Sequence, residues 1–157
     1  MSESLTERRR FLSRGTVALG GLAVAGSVQA AAARKPVASL RELKPGEPVS
    51  FNYPGDEPAY VIDLGRPTPG GIGPKKSIVA FSALCQHMGC PVQHDPKTGH
   101  FICPCHASVF APERGGQAIE GPSTRGLPVV RLALDGDQIH AVGIESGTVY
   151  GRACNKA

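Results

Sequence analysis

The chain of 157 residues has no tryptophan, and its other aromatics are five phenylalanines and three tyrosines. From Pro36 onward it shows no repeat, no low-complexity tract and no stretch with the apolar spacing of a helix, which argues against a helical domain. No basic stripe interleaved with aromatics runs through it, so the electrostatic footprint of a nucleic-acid binder is missing. The glycine-rich GGIGP lacks the lysine and the strand-to-helix setting of a phosphate loop. What is present is 20 glycines, 14 prolines and short runs of valine and isoleucine. That composition predicts many turns and short strands, an all-β chain, and the length suits one domain.

The formal charge of +4 is partly an N-terminal feature. Setting aside the first 33 residues removes four arginines and two glutamates, leaving 13 basic against 11 acidic residues. Those 33 residues have their own logic. Arg8, Arg9, Arg10 and Arg14 come first, a mildly apolar stretch runs from Gly15 to Val28, and the small residues QAAAA follow. Charged, apolar and small-residue regions in that order are the pattern of a signal peptide. Arg8, Arg9, Phe11 and Leu12 resemble a twin-arginine signal, which implies export of a folded, cofactor-loaded protein to the periplasm. Cleavage is expected ahead of retention as an anchor, because the apolar stretch is weak for a membrane span. A peripheral association with the membrane is compatible with this reading. The mature domain is then expected over 34–157.

Within it, PVSFNY (48–53) and AYVIDL (59–64) read as two strands joined by a turn. The prolines and glycines of 65–76 make a surface loop. SIVAFSAL (77–84) is a buried-strand run that delivers the chain into Cys85. Further on, VVRLALDGDQIHAVGI forms two runs about Asp135, Gly136 and Asp137, a hairpin signal, and GTVYG is expected to add a last short strand. SVFAPERGGQAIEGPSTRG reads as polar and turn-rich.

Two knots carry the chemistry: CQHMGC at 85–90 and CPCH at 103–106. They offer six soft ligands, more than one tetrahedral metal uses. A structural zinc would take four of them, commonly from pairs spaced CxxC or HxxxH. The knots supply CxH and CxxH instead, which suits a set made of Cys85, His87, Cys103 and His106. A zinc-bound, disulfide-stapled binding module remains the alternative from a different class.

CQHMGC and CPCHAS resemble the two cluster-binding boxes of the Rieske family. The resemblance implies a Rieske-type antiparallel β sandwich or barrel with an inserted cluster-binding lobe, about residues 84–111, and a 2Fe-2S cluster. It implies that Cys85 and Cys103 hold one iron through thiolate, that His87 and His106 hold the other through imidazole, and that Cys90 and Cys105 form a disulfide tying the loops together. Two neutral imidazoles in place of two thiolates make a cluster easier to reduce; Rieske centres lie between about −150 and +300 mV, against about −400 mV for plant-type four-cysteine clusters. No nucleophile or acid–base pair accompanies the boxes, so an electron carrier without a catalytic residue of its own is expected.

The second cysteine pair resembles the cytochrome bc type of Rieske protein more than the ring-hydroxylating oxygenases. In quinol-oxidising members a serine and a tyrosine following the second box bond to the cluster's sulfide and to a cysteine ligand. Ser108 matches the first, and Phe110 departs from the second, which implies a lower potential. Beyond the boxes, EPVSFNYP, LGRPTPGGIGP and AVGIESGTVYGRACN resemble the small subunit of bacterial arsenite oxidase over about 40–155. This implies a large molybdopterin subunit with a 3Fe-4S cluster as partner and a periplasmic cytochrome c or azurin-like copper protein as acceptor. The same architecture could serve a related oxyanion enzyme of the iodate reductase kind, and a quinol-oxidising cytochrome bc complex is the further alternative.

The remaining candidates are expected to be bland. His94 and His100 read as surface residues, His140 as a strand residue, Cys154 as a free thiol, and Met88 as apolar cover over the cluster.

Overall fold

The computed structural model describes residues 34–153; the signal-like segment 1–33 and Cys154 lie outside them. Ten strands build the fold: β1 (Lys35–Ser39), β2 (Val49–Asn52), β3 (Pro58–Asp63), β4 (Ile78–Ser82), β5 (Gln93–His94), β6 (Phe101–Ile102), β7 (Val109–Ala111), β8 (Gln117–Glu120), β9 (Val129–Asp135) and β10 (Gln138–Ser146). Among the described residues the one helical element is the 3-10 turn Pro112–Arg114. No helix there is long and apolar enough to cross a membrane. The all-β expectation holds.

Two antiparallel sheets result. Six strands in the order β1-β10-β9-β4-β3-β2 make a nearly closed, barrel-like base, and β5-β6-β7-β8 make a smaller sheet inserted between β4 and β9. The hairpin about Gly136 pairs Asp135 with Gln138, as the turn residues predict. The inserted sheet continues past the expected boundary at 111. Gly115, in the left-handed region at φ 66°, turns the chain back so that Ala111 lies opposite Gln117. The polar stretch after the second box therefore holds two strands. GTVYG, conversely, is a succession of bends and turns rather than a strand.

β4 explains how the site is held. All five of its residues are buried, because each face of the strand meets a different cluster. Ile78 and Ala80 pack in the barrel with Val61, Val130 and Ile139. Val79 and Phe81 pack toward the inserted sheet with Phe101, Phe110 and Leu127. A strand buried on both sides needs a continuous apolar run, and a period of two carries its second face onward through Ala83 to Cys85, both members of the Phe81 cluster. The same parity on β6 and beyond places Cys103 on the face of Phe101. Phe101 stacks on Tyr60 at 5.4 Å and meets Phe81 edge-on at 6.3 Å. Burying each such ring contributes roughly 2–3 kcal/mol.

Candidate metal centre

The two boxes are built alike. The Cys85 N–H donates to the Cys90 carbonyl (2.9 Å), and the Gly89 N–H donates to the Cys85 carbonyl (2.8 Å). In the second box the Cys103 N–H donates to the Ser108 carbonyl (2.8 Å), and the Ala107 N–H donates to the Cys103 carbonyl (3.0 Å). In each loop the fifth residue is left-handed, Gly89 at φ 77° and Ala107 at φ 56°. Sequence spacing hides this equivalence, because the histidine is third in one loop and fourth in the other.

The cysteines that open the loops come out of the core. Cys85 and Cys103 are free thiols, 0% and 1% exposed. Burial pushes the Cys85 thiol above its ordinary value; the backbone N–H groups of His87 and Met88 oppose this, and neighbouring Cys103 adds to it. A buried thiol of this kind is inert on its own, while amide donors aimed at the sulfur suit a metal-bound thiolate. The rings of His87 and His106 lie 4.8 Å apart, nearly perpendicular at 86°. His87 Nδ1 is buried and has no hydrogen-bond partner, an arrangement that costs free energy unless a Lewis acid takes the lone pair. Two buried thiols and two facing imidazoles, one with an orphaned nitrogen, fit an iron–sulfur group.

Cys90 and Cys105 form a disulfide. Their sulfurs and that of Cys103 all lie within 4.8 Å of one another. Two of that trio are consumed in the S–S bond, so the trio is not a metal site, and its geometry shows the disulfide standing against the Cys103 end of the centre.

The second box is roofed by the loop after β8. Gly121 lies so close that a Cβ there would sit 2.6 Å from Ser108 Cα. Ser108, fully buried, accepts a hydrogen bond from the Ser123 N–H at 3.1 Å. With its oxygen engaged, the Ser108 hydroxyl proton is free to be given elsewhere. Phe110, also fully buried, sits opposite Phe101 in the β6–β7 ladder and has no hydroxyl.

Several minor expectations change. Met88 is 59% exposed, so it points to solvent and is not cover. His94 and His100 are not plain surface residues. His94 packs edge-on against Phe101 at 5.5 Å with Nε2 buried and unpaired, and burial holds its pKa below the ordinary value against the pull of Asp95. His100 lies 3.5 Å from Glu113. His140 has a buried, unpaired Nδ1. Sequence reasoning passed over Tyr150, whose ring lies directly on Gly89; no periodicity links residues so far apart. A cleft of about 320 Å³ between β4 and β9, lined by Phe81, Val130, Arg131 and Glu145, contains no residue of either box.

Comparison with known proteins agrees with this geometry. The family model of the Rieske 2Fe-2S domain matches residues 33–131. Iodate reductase subunit IdrB of Pseudomonas sp. (strain SCT) is 40% identical over 157 aligned residues, spanning 92% of this chain and 81% of that protein. The cytochrome bc1 complex Rieske iron-sulfur subunit of Streptomyces lividans is 39% identical over 70 residues, 43% of this chain and 41% of that protein. Among solved structures, the soluble domain of Rieske protein II (soxF) from Sulfolobus acidocaldarius superposes with a TM-score of 0.67 at 27% identity, covering 80% of this chain and 84% of that one. With two boxes of matched construction, a pair of buried thiols and a pair of adjoining imidazoles within them, and similarity along nearly the whole chain, the protein belongs to the Rieske family of 2Fe-2S electron-transfer subunits.

Proposed function

We propose that Cys85 and Cys103 hold one iron of the 2Fe-2S cluster and His87 and His106 the other. The observation that carries the reading is the sorting of donors by burial: the two thiols face each other inside the core, while His106 is exposed to solvent. When bound, the cluster supplies reversible one-electron chemistry. The chain's part is to keep the thiols dry, to hold the imidazoles at the exposed end where an electron can be exchanged, and to present apolar surface there. Met88, the chain neighbour of Gly89, and Tyr150, whose ring lies on Gly89, are two of the three exposed large apolar residues among those described. Ser108 offers its hydroxyl proton to the cluster, and Phe110 withholds a second donor.

Relatives that are subunits of oxidoreductase complexes support a larger catalytic partner. The 40% identity to IdrB over 92% of the chain favours an oxyanion-reducing complex of the iodate reductase kind. The stretches at 47–54, 64–74 and 141–155 that resemble the arsenite oxidase small subunit support the second reading, with a molybdopterin and 3Fe-4S partner. Export through the twin-arginine pattern at Arg8 and Arg9 would bring either complex to the periplasm, where a cytochrome c or azurin-like protein exchanges its electrons.

The two readings run electrons in opposite directions through the same centre, and EPR of the co-purified complex separates them. Iodate added to the dithionite-reduced complex should bleach the rhombic signal of the Rieske centre if the first holds. Arsenite added to the oxidised complex should create that signal if the second does. A colourless, EPR-silent protein containing zinc would sink both.

A further inference from the structure

The C-terminal strap Gly147–Arg152 is tied to the rest of the fold at Val149 and at Arg152. Val149 is buried at 1% exposure, and the Arg152 N–H closes a turn on its carbonyl at 3.1 Å. The Arg152 guanidinium pairs with Glu57, whose other carboxylate oxygen accepts from the Gly55 N–H at 3.0 Å. Between these anchors Tyr150 is pressed onto Gly89, with ring carbons Cδ1 and Cε1 occupying the place a Cβ would take. Gly89 thus answers two demands, a φ of 77° and the approach of an aromatic ring. Its N–H also donates to the Cys85 carbonyl, one of the two backbone bonds that shape the Cys85–Cys90 loop.

We propose that Tyr150 is a positioning residue for the centre: the strap presses its ring onto Gly89, which keeps the Cys85–Cys90 loop closed and holds the His87 imidazole in its ligating orientation. The second box has the equivalent roof in Gly121 against Ser108. Among the described residues the first box is otherwise fastened by its own hydrogen bonds, the Leu84–Pro91 bridge, the disulfide and the burial of Cys85 in the core, none of which bears on the Gly89 corner from outside the loop as the ring does. A ligand held by its surroundings as well as by the metal keeps one geometry in both oxidation states. The inference rests on the Rieske reading for the role of His87, and on the structure alone for the clamp.

Hydrogen exchange of segment 84–91, followed by mass spectrometry, and EPR of the reduced cluster test it on the holoprotein. Tyr150→Phe keeps the ring and should match the wild type in both. Tyr150→Ala should speed exchange in that segment about tenfold and broaden the rhombic signal, while β3 and β4 keep their protection. Unchanged exchange and an unchanged line shape in Tyr150→Ala would overturn the clamp. If the variant instead loosens the whole fold, the milder Tyr150→Leu decides, since it keeps apolar bulk but not the ring face on Gly89: faster exchange confined to 84–91 supports the clamp, and exchange there equal to the wild type refutes it. A wild-type protein lacking the rhombic signal would overturn the ligand reading alone, since exchange reads the clamp independently.

Discussion

Removing the disulfide should cost stability without opening the boxes. Cys90 and Cys105 are 15 residues apart, and in the chain-entropy model a loop of that length constrains the unfolded state by ~3 kcal/mol. The native side of the balance changes little. The bases of the two boxes are joined by the β5–β6 ladder, Gln93 opposite Ile102 and His94 opposite Phe101, and each box keeps its own pair of backbone hydrogen bonds. The double variant Cys90→Ser, Cys105→Ser should therefore unfold at lower urea, by about 2 M for a denaturant slope of about 1.5 kcal/mol per M, with its far-ultraviolet spectrum and rhombic EPR signal retained. Double substitution is required. A single one frees a thiol within 4.8 Å of Cys103, where it could compete for iron. A midpoint shift below about 0.5 M would refute the argument that the bridge acts through the unfolded chain, because the entropy of loop closure would then be absent from the measured stability.

Other outcomes follow from single residues. Phe110→Tyr should raise the midpoint potential by about 40 mV, taking a hydrogen bond of ~1 kcal/mol to the reduced centre and ~59 mV per tenfold for one electron; protein-film voltammetry showing no rise would mean the new hydroxyl cannot reach the centre. Ala107→Gly should stabilise the protein by about 0.5 kcal/mol, roughly 2 °C in Tm, because relief of a left-handed alanine exceeds the added chain entropy of glycine; a lower Tm would count against strain at Ala107. His94 has a folded pKa below its ordinary 6.5, so the unfolded chain binds the proton more readily. Its contribution is fully present above about 6.5 and is lost as pH falls toward the folded value. His94→Gln should flatten the fall in urea midpoint between pH 7 and pH 5, and an equally steep fall in the variant would exonerate this residue.

Much of the fold could be read along the chain wherever one local signal had a single structural solution. The Asp135–Asp137 turn between two apolar runs gives a hairpin, and SIVAFSAL reads as a buried strand, which the structure shows to be buried on both faces. Local signals failed where partners are distant. The stretch 108–126 reads as polar and turn-rich, yet its residues 109–111 and 117–120 pair with β6 and with each other, and pairing is a property of the ladder rather than of the residues. GTVYG carried strand-forming residues but bends as a strap, since Val149, Tyr150 and Arg152 are each drawn to a different anchor. Met88 seemed to be cover because it is apolar, but an apolar side chain at a loop tip is buried only if something lies over it.

By itself the sequence determined the candidate donor types and their spacing, because thiolate and imidazole chemistry is written in residue identity, and the resemblance of its two boxes to the Rieske family supplied the class of cofactor. Only the tertiary structure decided how those side chains are held. Packing carried Cys85 and Cys103 out of one core cluster, brought Cys90 to Cys105 and left His87 Nδ1 without a protein partner. It also laid Tyr150 on Gly89 across 61 positions of chain, a contact that no local pattern encodes, since it exists only when the last strand has returned the C-terminus to the first box.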